Sequence, residues 1–404
     1  MTLPPGAFLP YGRHDIDEDD IAAVAEVLRG DWLTTGPKVA EFEKALAGVT
    51  GAKHAVVCNS ATAGLHLAMM ALGIGPGDFV VVPSVTFLAT ANCARYVGAE
   101  VLFADVDPET GLMTAETLEA ALARSDDGNV RAALPVHLTG RTVDMAALSE
   151  VAEHDGFVLV EDAAHAIGSQ YKVNGKLEPV GNCRFSKMAV FSFHPVKTIA
   201  MGEGGAITTN DDSLQASLAS LRSHGMTRDP QHLAQPEMGL DAQGKLNPWY
   251  YEMAEPGYNY RATDMQCALG LSQLRKLDRY AKRRRQLVDR YRQQLQPLRP
   301  LVSGPTAPSD CDPAWHLCVV RIDFQAAKTE RATLMAKLRD KGIGTQVHYI
   351  PVHQQPYYRQ RYGNLSLPGA DAYYERCLSL PLFPAMTDGD VDRVVDALAN
   401  ALRS

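Results

Sequence analysis

The chain has 404 residues, which is long for one compact core and predicts two or three domains. Hydrophobic residues make up 46% and charged residues 21%, as is ordinary for a soluble globular enzyme. The net charge of -8 gives no electrostatic case for binding nucleic acid or anionic lipid. The basic run K-R-R-R at 282–285 is therefore interpreted as a solvated helix face.

The sequence predicts neither a membrane span nor a targeting segment. No apolar run approaches the length that crosses a bilayer, and residues 1–10 lack the basic start and apolar stretch of a signal peptide. We therefore expect a cytoplasmic protein with no membrane partner. The seven cysteines include no C-x-x-C pair, so the pattern indicates neither a disulfide framework nor a metal site.

From about residue 54 to residue 209, short β-rich runs alternate with helical periods. This alternation predicts an α/β fold with a mostly parallel sheet covered on both faces, and such sheets bind ligands beyond the carboxyl ends of their strands. The predicted strands are 54–58, 79–83, 100–104, 131–136, 157–162, 188–193 and 205–209, and the predicted helices are 61–73, 86–97, 114–123 and 143–154.

Beyond residue 256 the character of the chain changes to long, charged helical patterns. We predict a large domain at residues 1–256 and a smaller, C-terminal α+β domain at residues 257–404. Residues 226–256 contain scattered Pro, Gly, Gln and Asp and are interpreted as a surface insertion. Further predicted elements are a helical stretch at 263–296, strands at 316–322 and 345–349, and a helix at about 328–341.

One lysine, Lys197, lies in a mainly apolar stretch, V-F-S-F-H-P-V-K-T-I-A-M-G-E-G-G at 190–205. Burial disfavours a charged amine and lowers its pKa, which makes the amine a nucleophile towards an aldehyde. Lys197 follows the strand predicted at 188–193, at the edge where a parallel sheet holds its ligands. Taken alone, Lys197 has a simpler interpretation as a surface lysine whose aliphatic stem packs on the protein.

A carboxylate, Asp162, ends the apolar run F-V-L-V-E-D at 157–162. The run predicts a central strand, so the carboxylate is expected at the same edge as Lys197. A lysine Schiff base with an acidic partner for the pyridine nitrogen is the signature of pyridoxal phosphate. As a solitary residue, Asp162 is more simply a helix N-cap.

The stretch C-N-S-A-T-A-G at 58–64 lies where a strand becomes a helix. The hydroxyl groups of Ser60 and Thr62 are expected beside the free amides of the first helical turn, where anions bind. Neither a P-loop nor a G-x-G-x-x-G after a strand occurs in the chain. Alone, the stretch is a good helix start; together with Lys197 and Asp162 it predicts a phosphate site.

These residues lie in segments that resemble the DegT/DnrJ/EryC1/StrS family of sugar aminotransferases. The family has the fold of aspartate aminotransferase, called fold type I, so the resemblance implies that fold and pyridoxal 5'-phosphate as the cofactor. The matching segments follow the family order along nearly the whole chain: W-L-T-T-G-P-K-V (32–39), N-S-A-T-A-G-L-H-L (59–67), F-L-A-T-A-N (87–92), E-D-A-A-H-A-I-G (161–168), F-S-F-H-P-V-K (191–197), G-E-G-G (202–205), G-Y-N-Y-R-A-T-D-M-Q-C-A-L-G (257–270) and V-H-Y-I-P-V-H (347–353).

The resemblance implies a role for each matching residue. Lys197 would bind the cofactor as a Schiff base and later move the proton, while Asp162 would pair with the pyridine nitrogen. His165 would lie against the ring or near its hydroxyl, and Phe87 would cover the opposite face; taken singly, both are as readily core residues. The phosphate would be held by Ser60, Ala61, Thr62 and Ser192, and by Asn259, otherwise a turn residue, from the second subunit of a homodimer with composite active sites.

The lysine at position 197 distinguishes an aminotransferase from the related sugar dehydratases in which histidine replaces it. The resemblance implies a ping-pong reaction, in which glutamate leaves its nitrogen on the cofactor and a nucleotide-linked 4-keto-6-deoxy sugar then accepts it. Expected substrate contacts are Trp32, Thr34 and Thr35 from the N-terminal motif, Tyr258, Tyr260 and Arg261 around Asn259, and His348 and Tyr349 in the smaller domain.

Four segments most resemble the subgroup that makes UDP-4-amino-4,6-dideoxy-L-AltNAc from UDP-4-keto-6-deoxy-L-AltNAc on the way to pseudaminic acid. Amination of UDP-4-keto-6-deoxy-GlcNAc or GDP-4-keto-6-deoxymannose stays open, because relatives with those substrates share most of the motifs. A catalytically silent binding or regulatory protein is expected to lose Lys197 or Asp162, and both are present here. A nicotinamide-dependent dehydrogenase is expected to carry the G-x-G-x-x-G fingerprint after a strand, which this chain lacks. The four segments are R-S-H-G-M (222–226), W-Y-Y-E-M (249–253), A-L-G-L-S-Q-L (268–274) and V-H-Y-I-P-V-H (347–353).

Overall fold

The computed structural model describes residue 4 and residues 6–125 and 129–403. Their helices are Glu18–Arg29 (α1), Pro37–Thr50 (α2), Ala61–Ala71 (α3), Leu88–Tyr96 (α4), Ala115–Leu122 (α5), Met145–Asp155 (α6), Asp212–Leu221 (α7), Pro236–Gly239 (α8), Asp264–Leu274 (α9), Leu277–Gln294 (α10), Arg331–Asp340 (α11), Pro356–Tyr362 (α12), Pro368–Arg376 (α13) and Asp388–Arg403 (α14). Their strands are His54–Cys58 (β1), Phe79–Pro83 (β2), Glu100–Ala104 (β3), Val130–Ala133 (β4), Val158–Asp162 (β5), Gln170–Val173 (β6), Lys176–Pro179 (β7), Met188–Ser192 (β8), Gly205–Thr209 (β9), Met226–Thr227 (β10), Glu252–Met253 (β11), Val302–Ser303 (β12), Cys311–Asp312 (β13), Cys318–Ile322 (β14) and Cys377–Leu380 (β15).

The largest sheet has seven strands in the order β1-β9-β8-β5-β4-β2-β3. Strands β8, β5, β4, β2 and β3 pair in parallel, and β9 is antiparallel to both of its neighbours. The predicted α/β fold with a mostly parallel sheet is therefore confirmed. Each of its seven strands was predicted within a few residues of its bounds, because each is a short apolar run between turn residues.

The carboxyl ends of four strands bring the site segments to one edge of this sheet. Strand β1 ends at Cys58, β2 at Pro83, β5 at Asp162 and β8 at Ser192. These strands point the same way, so the chain leaves each of them on the same side of the molecule. The crevice beyond that edge is where an open parallel sheet binds its ligand.

The N-terminal motif at 32–39 is fastened to the start of α9 by a buried carboxylate. Asp264 accepts hydrogen bonds from the backbone amides of Gly36 (2.7 Å) and Lys38 (2.9 Å), at the N-terminus of α2 where negative charge is favourable. A Cβ atom on Gly36 would lie 2.5 Å from Cβ of Trp32 and 2.7 Å from Oδ1 of Asp264. The motif therefore needs glycine at this position for close packing.

A second, antiparallel sheet of β12, β14 and β15 lies towards the C-terminus. Its core is shared with α10, α11, α14 and Leu9 from the N-terminus. Helix α9, in contrast, packs against α1 and α2. We keep the division of the domains between residues 256 and 257 as a proposal.

No helix among the described residues is both long and apolar enough to span a bilayer.

The structure corrects two of the predicted elements. Residues 345–349 are not a strand: Gln346 makes one isolated bridge to Ser379, and the Val347 amide donates to the side-chain oxygen of Gln346 (2.9 Å) rather than to a neighbouring strand. The helical stretch at 263–296 is two helices, α9 and α10, which break at Arg275 and Lys276. The insertion at 226–256 contains the β10–β11 pair and the short helix α8.

Candidate active site

A cavity of about 660 Å³ opens at the carboxyl edge of the large sheet, against residues 346–350 from the C-terminal part of the chain. The structure brings ten of the predicted site residues together around it. They are Ser60, Ala61, Thr62, Phe87, Asp162, His165, Ser192, Lys197, His348 and Tyr349.

Lys197 projects from the loop that follows β8. The loop is fixed on one side by a backbone hydrogen bond from Lys197 to His194 (2.8 Å), and on the other by Ile199 and Met201, which are buried in the core. Burial lowers the pKa of the Lys197 amine to about 8, and the negative charge of Asp162 opposes this shift. The amine is therefore far more often uncharged near neutral pH than an ordinary lysine.

The Asp162 carboxylate is buried and oriented by two donors. The hydroxyl of Thr90 donates to Oδ2 (2.7 Å) and the backbone amide of Ala164 donates to Oδ1 (3.1 Å). A further hydroxyl, that of Thr86, lies 2.7 Å from the Thr90 hydroxyl and extends the network. Asp162 ends β5 and orients the turn that follows it, so it is not a helix N-cap in this fold.

His165 lies between a backbone donor and a phenol. Its Nδ1 accepts the amide hydrogen of Thr139 (3.3 Å), so the neutral ring carries its proton on Nε2, 3.1 Å from the Tyr349 hydroxyl. Burial, aided by the charge of Lys197, lowers the pKa of His165 well below its usual value. Thr139 has a left-handed φ of 67°, and this conformation directs its amide at the imidazole.

Two more histidines, His316 and His348, are buried near Lys197 and are neutral at neutral pH. The His316 ring centroid lies 4.5 Å from that of His165, and burial lowers the pKa of His316 well below its usual value. Burial also lowers the pKa of His348 to about 3, and its Nδ1 lies 2.7 Å from the Ser379 hydroxyl. The histidines at and behind this side of the cavity are therefore polar but uncharged at neutral pH.

The N-terminus of α3 offers an anion site on the opposite side of the cavity. Ser60 caps the helix by accepting the Ala63 amide (3.1 Å), while the amides of Ala61 and Thr62, in the first turn, have no partner within the helix. Gly205 on β9 lies so close that a Cβ there would be 2.3 Å from the Ser60 carbonyl carbon. The lysine amine, the carboxylate and this helix start together fit pyridoxal phosphate.

The remaining predicted residues do not line this cavity in a single chain. Asn259 is exposed and forms an isolated bridge with Ser223. Tyr258 and Tyr260 stack on each other with ring centroids 4.8 Å apart, and Trp32 is 57% exposed. Seven predicted residues thus lie outside it: Trp32, Thr34, Thr35, Tyr258, Asn259, Tyr260 and Arg261.

Sequence reasoning missed five residues that line or support the cavity. Thr90 and Glu203 lie inside the segments F-L-A-T-A-N and G-E-G-G, so the signal for them was present without an assigned role. Tyr11, Thr139 and His316 carried no local signal, because each reaches the cavity only through the packing of distant segments.

The low pKa of Lys197 predicts how the protein without cofactor reacts with pyridoxal phosphate. Attachment requires the uncharged amine, so its rate should rise with pH and level off above about pH 8, whereas an ordinary lysine would continue to gain up to about pH 10.4. Stopped-flow absorbance of the bound cofactor as a function of pH measures this midpoint.

Two variants control this measurement. Lys197→Ala should show no covalent attachment. Asp162→Asn should move the midpoint below pH 8, because the charge of Asp162 raises the pKa of the amine. A rate that still rises at pH 10, or a midpoint that Asp162→Asn leaves in place or shifts upward, would contradict this account of the amine.

Comparison with known proteins identifies the family. The family model of the DegT/DnrJ/EryC1/StrS aminotransferases matches residues 14–399. The spore coat polysaccharide biosynthesis protein SpsC of Bacillus subtilis (strain 168) is 40% identical over 406 aligned residues, which cover 100% of this chain and 99% of that protein.

Solved structures agree with this assignment. PseC of Helicobacter pylori is an aminotransferase involved in the biosynthesis of pseudaminic acid. Its structure matches this one with a TM-score of 0.88 at 27% identity, and the match covers 98% of this chain and 99% of PseC. The putative sugar aminotransferase Spr1654 of Streptococcus pneumoniae, in its pyridoxal phosphate form, has a TM-score of 0.85 at 28% identity with the same coverage. The chain belongs to the DegT/DnrJ/EryC1/StrS aminotransferase family and is a pyridoxal phosphate-dependent aminotransferase of fold type I.

Proposed function

We propose that this aminotransferase moves the amino group of glutamate to C4 of a nucleotide-linked 4-keto-6-deoxy sugar. The sugar we propose is UDP-4-keto-6-deoxy-L-AltNAc, which gives UDP-4-amino-4,6-dideoxy-L-AltNAc. The observation that carries the proposal is that Lys197, Asp162 and the N-terminus of α3 face one cavity large enough for a cofactor and a sugar.

The cavity residues divide into a phosphate group and a ring group. The amides of the first turn of α3 suit a phosphate, which gains from the helix dipole as well as from hydrogen bonds. Asp162 suits the ring nitrogen, and Phe87 and His165 suit the two sides of the ring. The proposed phosphate ligands are Ser60, Ala61, Thr62 and Ser192, with Asn259 reaching in from the partner subunit.

Bound pyridoxal phosphate supplies an electron sink for the carbon that loses its proton. Lys197 Nζ is the base suited to take that proton from the amino donor and to return one to the acceptor, because its pKa of about 8 lets it hold or release a proton near neutral pH. Asp162, fixed by Thr90 and Ala164, would hold a proton at the ring nitrogen of the bound cofactor by its negative charge.

The family and the relatives support a sugar as the acceptor. SpsC is a spore coat polysaccharide biosynthesis protein and PseC is an aminotransferase involved in pseudaminic acid biosynthesis, so both relatives act in the biosynthesis of sugar compounds. The segments R-S-H-G-M (222–226) and V-H-Y-I-P-V-H (347–353) favour the pseudaminic acid substrate.

We also propose a cytoplasmic location, because all seven cysteines are free thiols.

A panel of keto sugars tests the proposed reaction. The holoenzyme is incubated with glutamate and, separately, with UDP-4-keto-6-deoxy-L-AltNAc, UDP-4-keto-6-deoxy-GlcNAc and GDP-4-keto-6-deoxymannose, and the amino product is identified by NMR. We expect the first sugar to have the highest kcat/KM and Lys197→Ala to form no product. A preference for either other sugar would correct the substrate, and bleaching by glutamate with no sugar aminated would refute the function.

We further propose a homodimer in which each subunit completes the partner's active site. In one chain Asn259 is exposed outside the cavity, as its proposed role in the partner requires. Large apolar side chains are also exposed, among them Trp32 (57%), Trp249 (73%) and Tyr258 (41%), which favours a covering partner. In such a dimer Arg261, whose buried Nε has no hydrogen-bond partner among the described residues, is proposed to bind the substrate diphosphate.

Hybrid dimers test the composite site. Lys197→Ala and Asn259→Ala are each expected to give low activity, but a dimer of one with the other contains one site with both native residues. Random pairing on co-expression should therefore restore about a quarter of the wild-type sites. Activity of the co-expressed protein that does not exceed the two separate variants would contradict the composite site, provided that native mass spectrometry detects the hybrid.

A further inference from the structure

The N-terminal strap, residues 7–15, runs beside the cavity from residues 342–344 to α10, and its residue Tyr11 is part of the cavity lining. Its first half is held by two backbone hydrogen bonds, from Leu9 to Gly342 (2.8 Å) and from Gly344 to Leu9 (2.7 Å), and the Leu9 side chain is buried. Its far end is held at the Asp15 carbonyl, which accepts the Tyr280 hydroxyl (3.0 Å). The strap is therefore fixed on both sides of Tyr11.

Tyr11 lies in the middle of the strap and lines the cavity. Its carbonyl accepts the Leu382 amide (3.0 Å), and its ring centroid lies 5.3 Å from that of His348. The next residue, Gly12, packs against Val196, so a Cβ there would be 3.5 Å from Cβ of Val196. These contacts place the phenol in the same cavity as Lys197.

The Tyr11 hydroxyl is free to bind a ligand. None of the hydrogen bonds of the described residues involves this hydroxyl, whereas the hydroxyl of Tyr349 lies 3.1 Å from Nε2 of His165. Burial raises the pKa of Tyr11, so the phenol keeps its proton at neutral pH and can both donate and accept.

The surroundings of this hydroxyl favour an uncharged ligand group. Its neighbours His348 and Tyr349 are neutral, because burial lowers the pKa of His348 to about 3 and raises that of Tyr349. Lys197 is the one lysine or arginine among the described residues that line the cavity. A sugar offers hydroxyl and carbonyl oxygens that a single neutral donor such as the Tyr11 hydroxyl recognises, whereas each carboxylate of glutamate needs a cation or several donors and is expected to bind away from Tyr11.

We propose that Tyr11 is a substrate-contacting residue that hydrogen-bonds an oxygen of the keto sugar and contributes to the second half-reaction alone. The inference rests on the proposed function, since it assumes a sugar as the acceptor. The strap thus brings a specificity residue from the N-terminus into a cavity lined mainly by the loops at the carboxyl edge of the large sheet and by residues 346–350.

Separate measurement of the two half-reactions of Tyr11→Phe tests this proposal. The pyridoxal form of the holoenzyme is mixed with glutamate, and the pyridoxamine form with the keto sugar that the wild type prefers, while cofactor absorbance is followed. The loss of one hydrogen bond should lower the second-order rate constant with the sugar by about 5- to 50-fold. The rate constant with glutamate should stay within about twofold, because the ring and its packing are kept.

Tyr357→Phe is the matched control, since Tyr357 is 52% exposed and does not line the cavity. It should leave both half-reactions at wild-type rates, and the thermal midpoint of Tyr11→Phe should match the wild type. Wild-type rates with the sugar, or equal losses in both half-reactions, would overturn the role of Tyr11. A wild-type enzyme that reacts with glutamate and aminates no keto sugar would instead refute the proposed function, and this inference with it.

Discussion

The burial of one amine beside one carboxylate is the interaction on which the site depends. Burial alone would drive the pKa of Lys197 further down, and the charge of Asp162 opposes the shift so that it stops at about 8. Both groups are held in place. Ile199, buried in the core, anchors the loop that carries Lys197, and hydrogen bonds from Thr90 and Ala164 hold the Asp162 carboxylate. The base is thus prepared before a substrate arrives.

The register of the strands places Lys197 and Asp162 close to the phosphate site at the start of α3. Asp162, the last residue of β5, aligns with Val190 near the end of the parallel strand β8. The loop that follows β8 therefore carries Lys197 to the sheet edge where Asp162 lies. The antiparallel strand β9 fills the gap to β1 and begins at Gly205, whose backbone lies against Ser60 at the start of α3. One arrangement of four neighbouring strands therefore sets the amine, the carboxylate and the phosphate end relative to one another.

The part of this site that the sequence predicts is the part carried by strand ends. Asp162 and Lys197 each follow an apolar run, and the direction of a parallel sheet brings such ends together. Tyr11 could not be predicted, because it reaches the cavity through the pairing of Leu9 with residues distant in the chain. The strand predicted at 345–349 does not form: the Val347 amide donates to the Gln346 side chain, and residues 346–350 line the cavity. Contacts between distant segments leave no local pattern.

Identifying the lysine that carries the cofactor tests the role of Lys197 directly. The purified holoenzyme is reduced with borohydride and digested, and the peptides are sequenced by mass spectrometry. We expect a phosphopyridoxyl group on Lys197, in the peptide that contains F-S-F-H-P-V-K. Stoichiometric modification of any other lysine, with Lys197 unmodified, would contradict it.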